Sequence, residues 1–153
     1  MAFILGLTIS GCGKNAGDKE IDLNALKEEM MAADSTMPHM ENVDSDSENA
    51  EKLFTNISSI EYVKVDKYFY MYSSTGSAHE LACIKLKSEG DVKDAVKTIE
   101  EYVAKRVSIF KTYAPTETET AQNTMILTYD TFVVMIMSPE AESIKDVCDE
   151  LLK

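Results

Sequence analysis

The sequence predicts an α+β domain, built from an antiparallel sheet of about four strands with helices packed on one face, in the order ααββαββα. Two observations lead to this prediction. The spacing of apolar residues changes from helical to strand-like twice along the chain, and short polar turns join neighbouring strand-like segments. The 153 residues, 44% of them hydrophobic and 27% charged, are enough for one sizeable core. We therefore assign residues 21–153 to a single domain.

The first helix is predicted from Leu23 to about Ala33. Leu23, Leu26 and Met30 repeat at helical spacing. Asp22 comes directly before them and is a favourable N-cap residue. Pro38 then marks a break in the helical pattern.

A short second helix is predicted after the segment 45–48, which has the Ser-x-x-Glu form of a capping box. Its apolar side consists of Ala50, Leu53, Phe54 and Ile57. The preceding acidic residues also begin like a calcium-binding loop. Asn49 and Thr55 occupy the positions of the required glycine and glutamate, so helix capping is the better interpretation.

A hairpin is predicted over residues 60–73 and 80–87, because both segments are rich in aromatic or apolar residues and the turn between them contains Gly76. A long helix follows Asp91 and ends before Pro115. Its predicted buried face consists of Val92, Ala95, Val96, Ile99, Tyr102, Val103, Val107 and Phe110. Residues 115–120 are predicted to form a loop.

A second hairpin is predicted over residues 124–129 and 131–137, with a tight turn at Asp130. Ser138 and Pro139 then have the residue types favoured at the N-cap and first position of a helix. The last helix is predicted to bury Ala141, Ile144, Val147, Cys148 and Leu151.

The apolar run from Ala2 to Ile9 leads into Ile9-Ser10-Gly11-Cys12. Eight residues are within the usual length of a signal-peptide apolar region and too few to span a bilayer. The pattern resembles the lipobox of bacterial lipoproteins. This resemblance implies a signal peptide at residues 1–11, in which Ile9, Ser10 and Gly11 are recognised, and a lipid anchor such as palmitate on Cys12. Residues 12–20 would form a flexible tether on the extracytoplasmic face of the bacterial cell membrane.

The segment departs from the usual pattern in one respect, since no Lys or Arg precedes Cys12. A start codon further upstream would account for this. The alternative is that residues 1–12 form a buried N-terminal strand. The abruptly polar sequence after Cys12 favours the signal-peptide interpretation.

The formal net charge of −12 argues against nucleic acid or anionic lipid headgroups as direct partners, because both would be repelled. The membrane is therefore expected as a partner only through the lipid on Cys12. The remaining two cysteines, Cys83 and Cys148, are predicted to be buried thiols, with a disulfide between them as the alternative.

Beyond the lipobox, several segments carry a wider resemblance: the helix at residues 22–26, the apolar runs at 78–85 and 131–138, and the acidic last helix. Together with Cys12 they resemble a family of small uncharacterised lipoproteins from clostridia-like Gram-positive bacteria. The resemblance covers most of residues 12–153 and implies a membrane-tethered extracytoplasmic domain of unknown function. It supplies neither catalytic residues nor a cofactor.

Two motifs contain residue types that bind metals. Met37, His39 and Met40 offer soft ligands that suit Cu(I), although such methionines also cover apolar surface. The run from His79 to Cys83 is similar to the zincin motif His-Glu-x-x-His, with Cys in place of the second His. Zincins need that motif on a helix, whereas a strand is predicted here. Glu80 is instead interpreted as a solvent-facing or hairpin-stabilising carboxylate.

Tyr68, Tyr70 and Tyr72 lie on one side of the predicted strand. If that side is uncovered, they form a contact surface for a partner. If it is covered, they pack against or along the edge of the sheet, where aromatic residues are favoured.

The sequence contains no phosphate-binding glycine loop, nucleophile elbow or Cys-x-x-Cys pair. We therefore expect a non-catalytic, lipid-anchored module with no cofactor, which binds an envelope protein or small ligand or helps to assemble something there. The first alternative is a lipoprotein that captures a small ligand or a metal such as copper. The second is a hydrolase that uses carboxylates such as Glu80 and Asp130, which would have to converge in one pocket.

Overall fold

The computed structural model describes residues 20–153. The expected signal peptide and most of the tether, including Ile9, Ser10, Gly11 and Cys12, lie outside the described residues. The α-helices are α1 (Leu23–Ala32), α2 (Ala50–Phe54), α3 (Val92–Tyr113), α4 (Thr118–Gln122) and α5 (Ala141–Leu152). The strands are β1 (Met40–Asp44), β2 (Val65–Ser73), β3 (Glu80–Leu86), β4 (Met125–Tyr129) and β5 (Phe132–Met137). None of the helices within residues 20–153 is both long and apolar enough to cross a membrane.

The strands form one sheet in the order β1-β2-β3-β5-β4, in which every neighbouring pair is antiparallel. This confirms the predicted α+β class and both hairpins. The sheet has five strands where about four were predicted, because β1 adds to the edge of β2 with Met40 opposite Ser73. Its sequence, Met-Glu-Asn-Val-Asp, lacks the apolar alternation of a strand. β1 is a strand because its backbone pairs with that of β2, although its own residue pattern does not indicate a strand.

Helices cover both faces of the sheet, so the prediction that they pack on one face was wrong. Helices α1 and α5 lie against the face that carries Phe69 and Cys83, and α2 and α3 against the face that carries Tyr68 and Ile84. The central strands explain the difference. Every residue of β5 is buried, as expected for a strand covered on both sides and not for one with a solvent-facing side.

The sheet therefore separates two main cores. The first core contains, among others, Leu26, Met30, Phe69, Leu81, Cys83, Val134, Ile136, Ile144 and Cys148. The second core contains, among others, Phe54, Tyr68, Ala82, Ile84, Ala95, Ile99, Val133 and Met135. A smaller cluster beneath α4 consists of Ala78, Phe110, Ala121 and Met137.

The N-cap of α1 is confirmed, since the Asp22 carboxylate accepts a hydrogen bond from the Asn24 amide at 2.9 Å. The capping box predicted for α2 was wrong. Helix α2 begins after Asn49, which has a φ of 62° and makes no side-chain cap bond. The Ser45 hydroxyl instead accepts a hydrogen bond from the Tyr68 amide at 2.7 Å and so stabilises β2.

The long helix α3 is confirmed between Asp91 and Pro115. The predicted loop after it contains α4, a single short helix that closes the smaller cluster. At the start of α5, the Ser138 hydroxyl accepts a hydrogen bond from the Glu140 amide at 2.9 Å. The helix itself begins at Ala141, two residues later than predicted from Pro139.

Candidate functional site

The most unusual polar group on the sheet is the carboxylate of Glu80, the first residue of β3. Its side chain is 0% exposed, and the sheet places it between Tyr72 on β2 and Met137 on β5. The interpretation of Glu80 as a solvent-facing carboxylate was therefore wrong. The error arose because helix α3 covers this face of the sheet, which strand alternation alone does not reveal.

Three side chains donate hydrogen bonds to the Glu80 carboxylate. Nε and Nη2 of Arg106 lie 2.5 Å from Oε1, and the Tyr102 hydroxyl lies 2.5 Å from Oε2. The Tyr70 hydroxyl lies 3.3 Å from Oε2 and 2.7 Å from the Tyr102 hydroxyl. Because Tyr102 and Arg106 are four residues apart on α3, they lie on one face of that helix and reach the same carboxylate.

The charges of this cluster follow from its burial. Desolvation raises the pKa of Glu80, while the charge of Arg106 and the hydrogen bonds from Tyr102, Arg106 and Tyr70 lower it in part. Desolvation and the nearby carboxylate both raise the pKa of Tyr70 and of Tyr102. Although burial opposes it, the Glu80 charge raises the pKa of Arg106 above its already high value. The tyrosines therefore stay neutral near pH 7, and the arginine stays charged.

Arg106 also lines a surface groove of about 270 Å³, together with Val43, Leu53, Asn56, Tyr70 and Tyr72. We call this the tyrosine–arginine groove. The Tyr70 and Tyr72 rings stack with centroids 5.4 Å apart and an angle of 27° between their planes. The Arg106 guanidinium lies 4.7 Å from the Phe110 ring centroid. The groove thus presents aromatic and apolar side chains around a guanidinium that is already held in place.

The predicted tyrosine contact surface is divided by the fold. Tyr68 is 2% exposed, packs against Phe54 and Tyr62, and donates a hydrogen bond to the Ala50 carbonyl at 2.8 Å. It belongs to the second core and cannot contact a partner. Tyr70 and Tyr72 do line the groove, and Tyr72 is 37% exposed. The three residues share one face of β2, but α2 covers only one end of it.

Sequence reasoning missed the role of Arg106 and placed Tyr102 only on an apolar helix face. The position of Arg106 in the sequence was the signal that could have predicted its role. It lies four residues after Tyr102 and four before Phe110, within the buried stripe of α3. A charged residue in such a stripe requires a buried partner of opposite charge.

A second polar cluster ties three loops together around Asp34, which is 4% exposed. Its carboxylate accepts hydrogen bonds from Ser138 at 2.6 Å and from the Thr36 amide and hydroxyl at 2.7 and 2.6 Å. The His79 ring contacts the Thr36 hydroxyl through Nε2 at 3.1 Å and the Ser77 hydroxyl through Nδ1 at 2.9 Å.

Because the Thr36 hydroxyl donates its only hydrogen to Asp34, it must accept from His79, so Nε2 carries a proton. His79 is thus satisfied by the loops around it. Cys83 lies in the first core, and no cluster of three or more metal-binding His, Cys, Asp or Glu occurs within residues 20–153. The zincin-like spacing corresponds to a strand, as the sequence indicated.

The proposed copper ligands are placed in different surroundings. Met37 and Met40 pack partly against the first core. The His39 side chain is 76% exposed, with its Nδ1 3.0 Å from the Ser74 hydroxyl. Both thioethers thus have apolar contacts of the kind that methionines commonly make. Copper binding by Met37, His39 and Met40 stays a prediction.

Glu80 and Asp130 do not converge, so the hydrolase based on these two carboxylates is contradicted. Glu80 lies opposite Met137 at one end of β5, and Asp130 lies in the turn before Phe132 at the other. Five residue steps along β5 separate these ends, a distance of about 17 Å. Asp130 has a φ of 47° and forms the tight turn that the sequence predicted there.

Cys83 and Cys148 are both free and buried, as the preferred prediction stated. Desolvation raises the pKa of Cys148 to about 12 and that of Cys83 still further.

A larger groove of about 400 Å³ lies at the N-terminus of α1, beside the turn after β1. Two of its carboxylates have local structural roles. Asp22 caps α1, and Asp44 accepts hydrogen bonds from Asn42 and from the amide of Asp46. These hydrogen bonds lower the pKa of Asp44, although burial opposes the shift. The groove also borders Glu20, the first described residue.

A family model described as a domain of unknown function, DUF4358, matches residues 38–138, which are 101 of the 153 residues. The chain belongs to the DUF4358 family. The matched region contains all five strands as well as Glu80, Tyr102 and Arg106. No curated protein and no solved structure matches the chain. The membership confirms the predicted resemblance to a family of unknown function. The lipoprotein character and the Gram-positive origin stay predictions.

Proposed function

We propose that this member of the DUF4358 family is a lipid-anchored binding module of the bacterial cell envelope. In this proposal Cys12 carries the lipid, and the tyrosine–arginine groove contacts the ligand or partner. Support for the anchor comes from the lipobox-like segment Ile9 to Cys12 and from the polar sequence that follows it. Support for the groove comes from its geometry.

The observation that carries the proposal is the fixed guanidinium of Arg106 beside the exposed ring of Tyr72. Arginine and tyrosine are enriched among the residues that dominate binding energies at interfaces. Glu80 already holds Arg106 through two nitrogen atoms, so little side-chain freedom is left to lose when a ligand binds. Stacking against the Tyr70 ring likewise limits the side-chain freedom that Tyr72 would lose when a ligand binds.

The groove also limits what can bind. Its volume of about 270 Å³ is below the usual range for a site that encloses a whole small molecule. It suits a single side chain or ring that projects from a larger envelope partner. The eight residue steps from Cys12 to Glu20 reach at most about 28 Å when extended. An anchored domain would therefore stay close to the membrane.

Cell fractionation tests the anchor. We expect Cys12→Ala, or an inhibitor of the lipoprotein signal peptidase, to change the distribution of the chain between membrane and soluble fractions. Unaltered membrane association under both treatments would disprove lipid anchoring at Cys12.

Cross-linking in intact cells, followed by quantitative mass spectrometry, tests the groove. We expect Tyr72→Ala to reduce at least one cross-linked envelope species severalfold relative to the wild type. Tyr113→Ala is the matched control, because Tyr113 is 83% exposed at the end of α3 and does not line the groove. If both variants retain the same species in the same amounts, the groove is not the binding surface.

A further inference from the structure

Among residues 20–153 the sheet ends in two edge strands, and these differ in charge. β1 is one edge and carries Glu41 and Asp44. β4 is the other edge, and residues 120–129 contain no charged side chain. Natural proteins usually protect an edge strand with charges, proline or a bulge, because its unpaired backbone groups can bind another strand. β4 has neither a charge nor a proline.

The hydrogen-bonding register shows which backbone groups of β4 point outward. The Leu86 amide donates to the Thr131 carbonyl at 2.9 Å, so that carbonyl points towards β3. The backbone of the next residue, Phe132, must then point towards β4 and bond to Tyr129. By alternation, the amides and carbonyls of Ile126 and Thr128 point away from the sheet. Within residues 20–153 none of these four groups has a hydrogen-bond partner.

The side chains of β4 are also incompletely covered. Met125 and Leu127 pack partly against the first core and Ile126 partly against the second, so each is half-buried despite being apolar. Thr128 is exposed. A strand added beside β4 would cover these side chains and satisfy the outward backbone groups together.

We propose that the chain forms a two-fold dimer in which β4 pairs antiparallel with β4 of a second copy. Centred on Leu127, this register places Ile126 of each copy opposite Thr128 of the other. The amide and carbonyl of each residue then exchange hydrogen bonds with those of its opposite residue, giving four bonds. The result is a continuous ten-stranded sheet with a self-complementary interface.

The charge distribution favours pairing of two copies through β4 over pairing through β1. The chain has a formal net charge of −12, so two copies repel each other wherever their carboxylates meet. Pairing through β1 would bring together Glu41 and Asp44 of both copies, whereas the strand residues that meet in pairing through β4, residues 125–129, are all uncharged.

Sedimentation velocity of the full chain in detergent tests the proposal. We expect a dimer for the wild type and loss of the dimer for Thr128→Lys, which places a lysine of each copy close to the other across the interface. Glu41→Gln is the matched control. It changes the net charge by the same single unit on the opposite edge, and its dimer should persist.

Thr128→Lys makes the chain less negative overall, which by itself would favour association. If Thr128→Lys loses the dimer and Glu41→Gln keeps it, the loss is therefore due to the lysine on β4 and not to the change in net charge. Circular dichroism establishes that the variant is folded. A wild-type monomer at every concentration, assemblies larger than a dimer, or a dimer lost only in Glu41→Gln would each overturn the proposal.

Disulfide cross-linking provides a second test that does not depend on charge. Leu127→Cys places two thiols directly opposite each other across the two-fold axis, with Cα atoms about 4.5 Å apart, a separation that a disulfide can bridge. We expect a covalent dimer after treatment with an aromatic disulfide oxidant, and none for Asn42→Cys on β1. Equal cross-linking of the two variants, or none in Leu127→Cys, would contradict the register.

Discussion

Arg106 on α3 and Glu80 on β3 form an ion pair, in which Nε and Nη2 of the guanidinium both lie 2.5 Å from Oε1. The pair connects the longest helix to a central strand of the sheet. The Glu80 side chain is 0% exposed and that of Arg106 27% exposed, so the carboxylate depends on the protein for the interactions that water would otherwise supply. Loss of its partner should therefore destabilise the protein more for Glu80 than for Arg106.

Arg106→Gln should lower the free energy of unfolding by about 3–5 kcal/mol, because it leaves a buried carboxylate without its counter-charge. Urea denaturation at pH 7 measures this loss. Lys105→Gln is the matched control, since it removes one positive charge from an exposed neighbouring position and should change stability by no more than about 0.5 kcal/mol.

The double variant Glu80→Met/Arg106→Leu separates the ion pair from the packing around it. Replacing both charges with apolar groups leaves no unpaired charge, so the double variant should be more stable than Arg106→Gln. If the double variant is instead the least stable of the set, the loss in Arg106→Gln comes from packing and not from the unpaired carboxylate.

Asp34 should make stability depend on pH in the acid range. Burial raises its pKa, but the hydrogen bonds from Ser138 and Thr36 and the charge of His79 outweigh burial, so the pKa lies below the ordinary value of 3.8. The unfolded state then binds the proton first as the pH falls. The stabilisation by Asp34 is therefore complete above the unfolded pKa and is lost as the pH falls through the folded pKa.

We accordingly expect Asp34→Asn to be less stable than the wild type at pH 7, by about 1–3 kcal/mol, and the difference to shrink as the pH falls below about 4. Denaturation series from pH 7 to the acid range measure it. Asp46→Asn, at an exposed turn position, should follow the wild-type curve. A difference between Asp34→Asn and wild type that is constant with pH would refute this linkage.

The two cores should unfold together, because they share the strands that separate them. Ile99 and Ile144 are both 0% exposed, one in each core, and substitution of either by alanine should cost about 2–5 kcal/mol. Ile109→Ala, at a position 42% exposed on α3, should cost far less. Thermal unfolding followed by both near- and far-ultraviolet circular dichroism should show one coincident transition in every variant. Separate transitions for the two cores would contradict this prediction.

The thiols of Cys83 and Cys148 should be unreactive in the folded chain, because both are buried and burial raises the pKa of each. In a Cys12→Ala variant, we expect negligible labelling by an aromatic disulfide reagent at pH 8 and labelling of both thiols after unfolding in urea. Rapid labelling of either residue under native conditions would show that the first core opens readily.

The sequence correctly predicted those elements whose own residues form a recognisable pattern, such as a capping residue, an apolar stripe or a turn residue. Asp22 caps α1, the apolar stripe ending at Phe110 defines α3, and the turn at Asp130 joins β4 to β5. β1 was missed because an edge strand receives its hydrogen bonds from β2 and needs little apolar alternation of its own. The capping box before α2 failed for a similar reason, since Ser45 bonds to Tyr68, a residue 23 positions away.

The candidate site was predicted only in part. Tyr70 and Tyr72 were identified from their common side of a strand, but the same alternation included Tyr68, which α2 covers. Arg106 joins the site because α3 crosses the sheet at Glu80, and the crossing point of a helix is not encoded in its periodicity.

The sequence by itself determined the α+β class, both hairpins, the long helix and the lipobox-like segment, because each depends on residues close together in the chain. Only the tertiary structure decided that helices cover both faces, that Glu80 is buried with Arg106, and that the uncharged strand β4 lies at an edge of the sheet formed by residues 20–153. These features depend on which strand lies beside which and on where the helices cross them, and those contacts join residues that are distant in sequence.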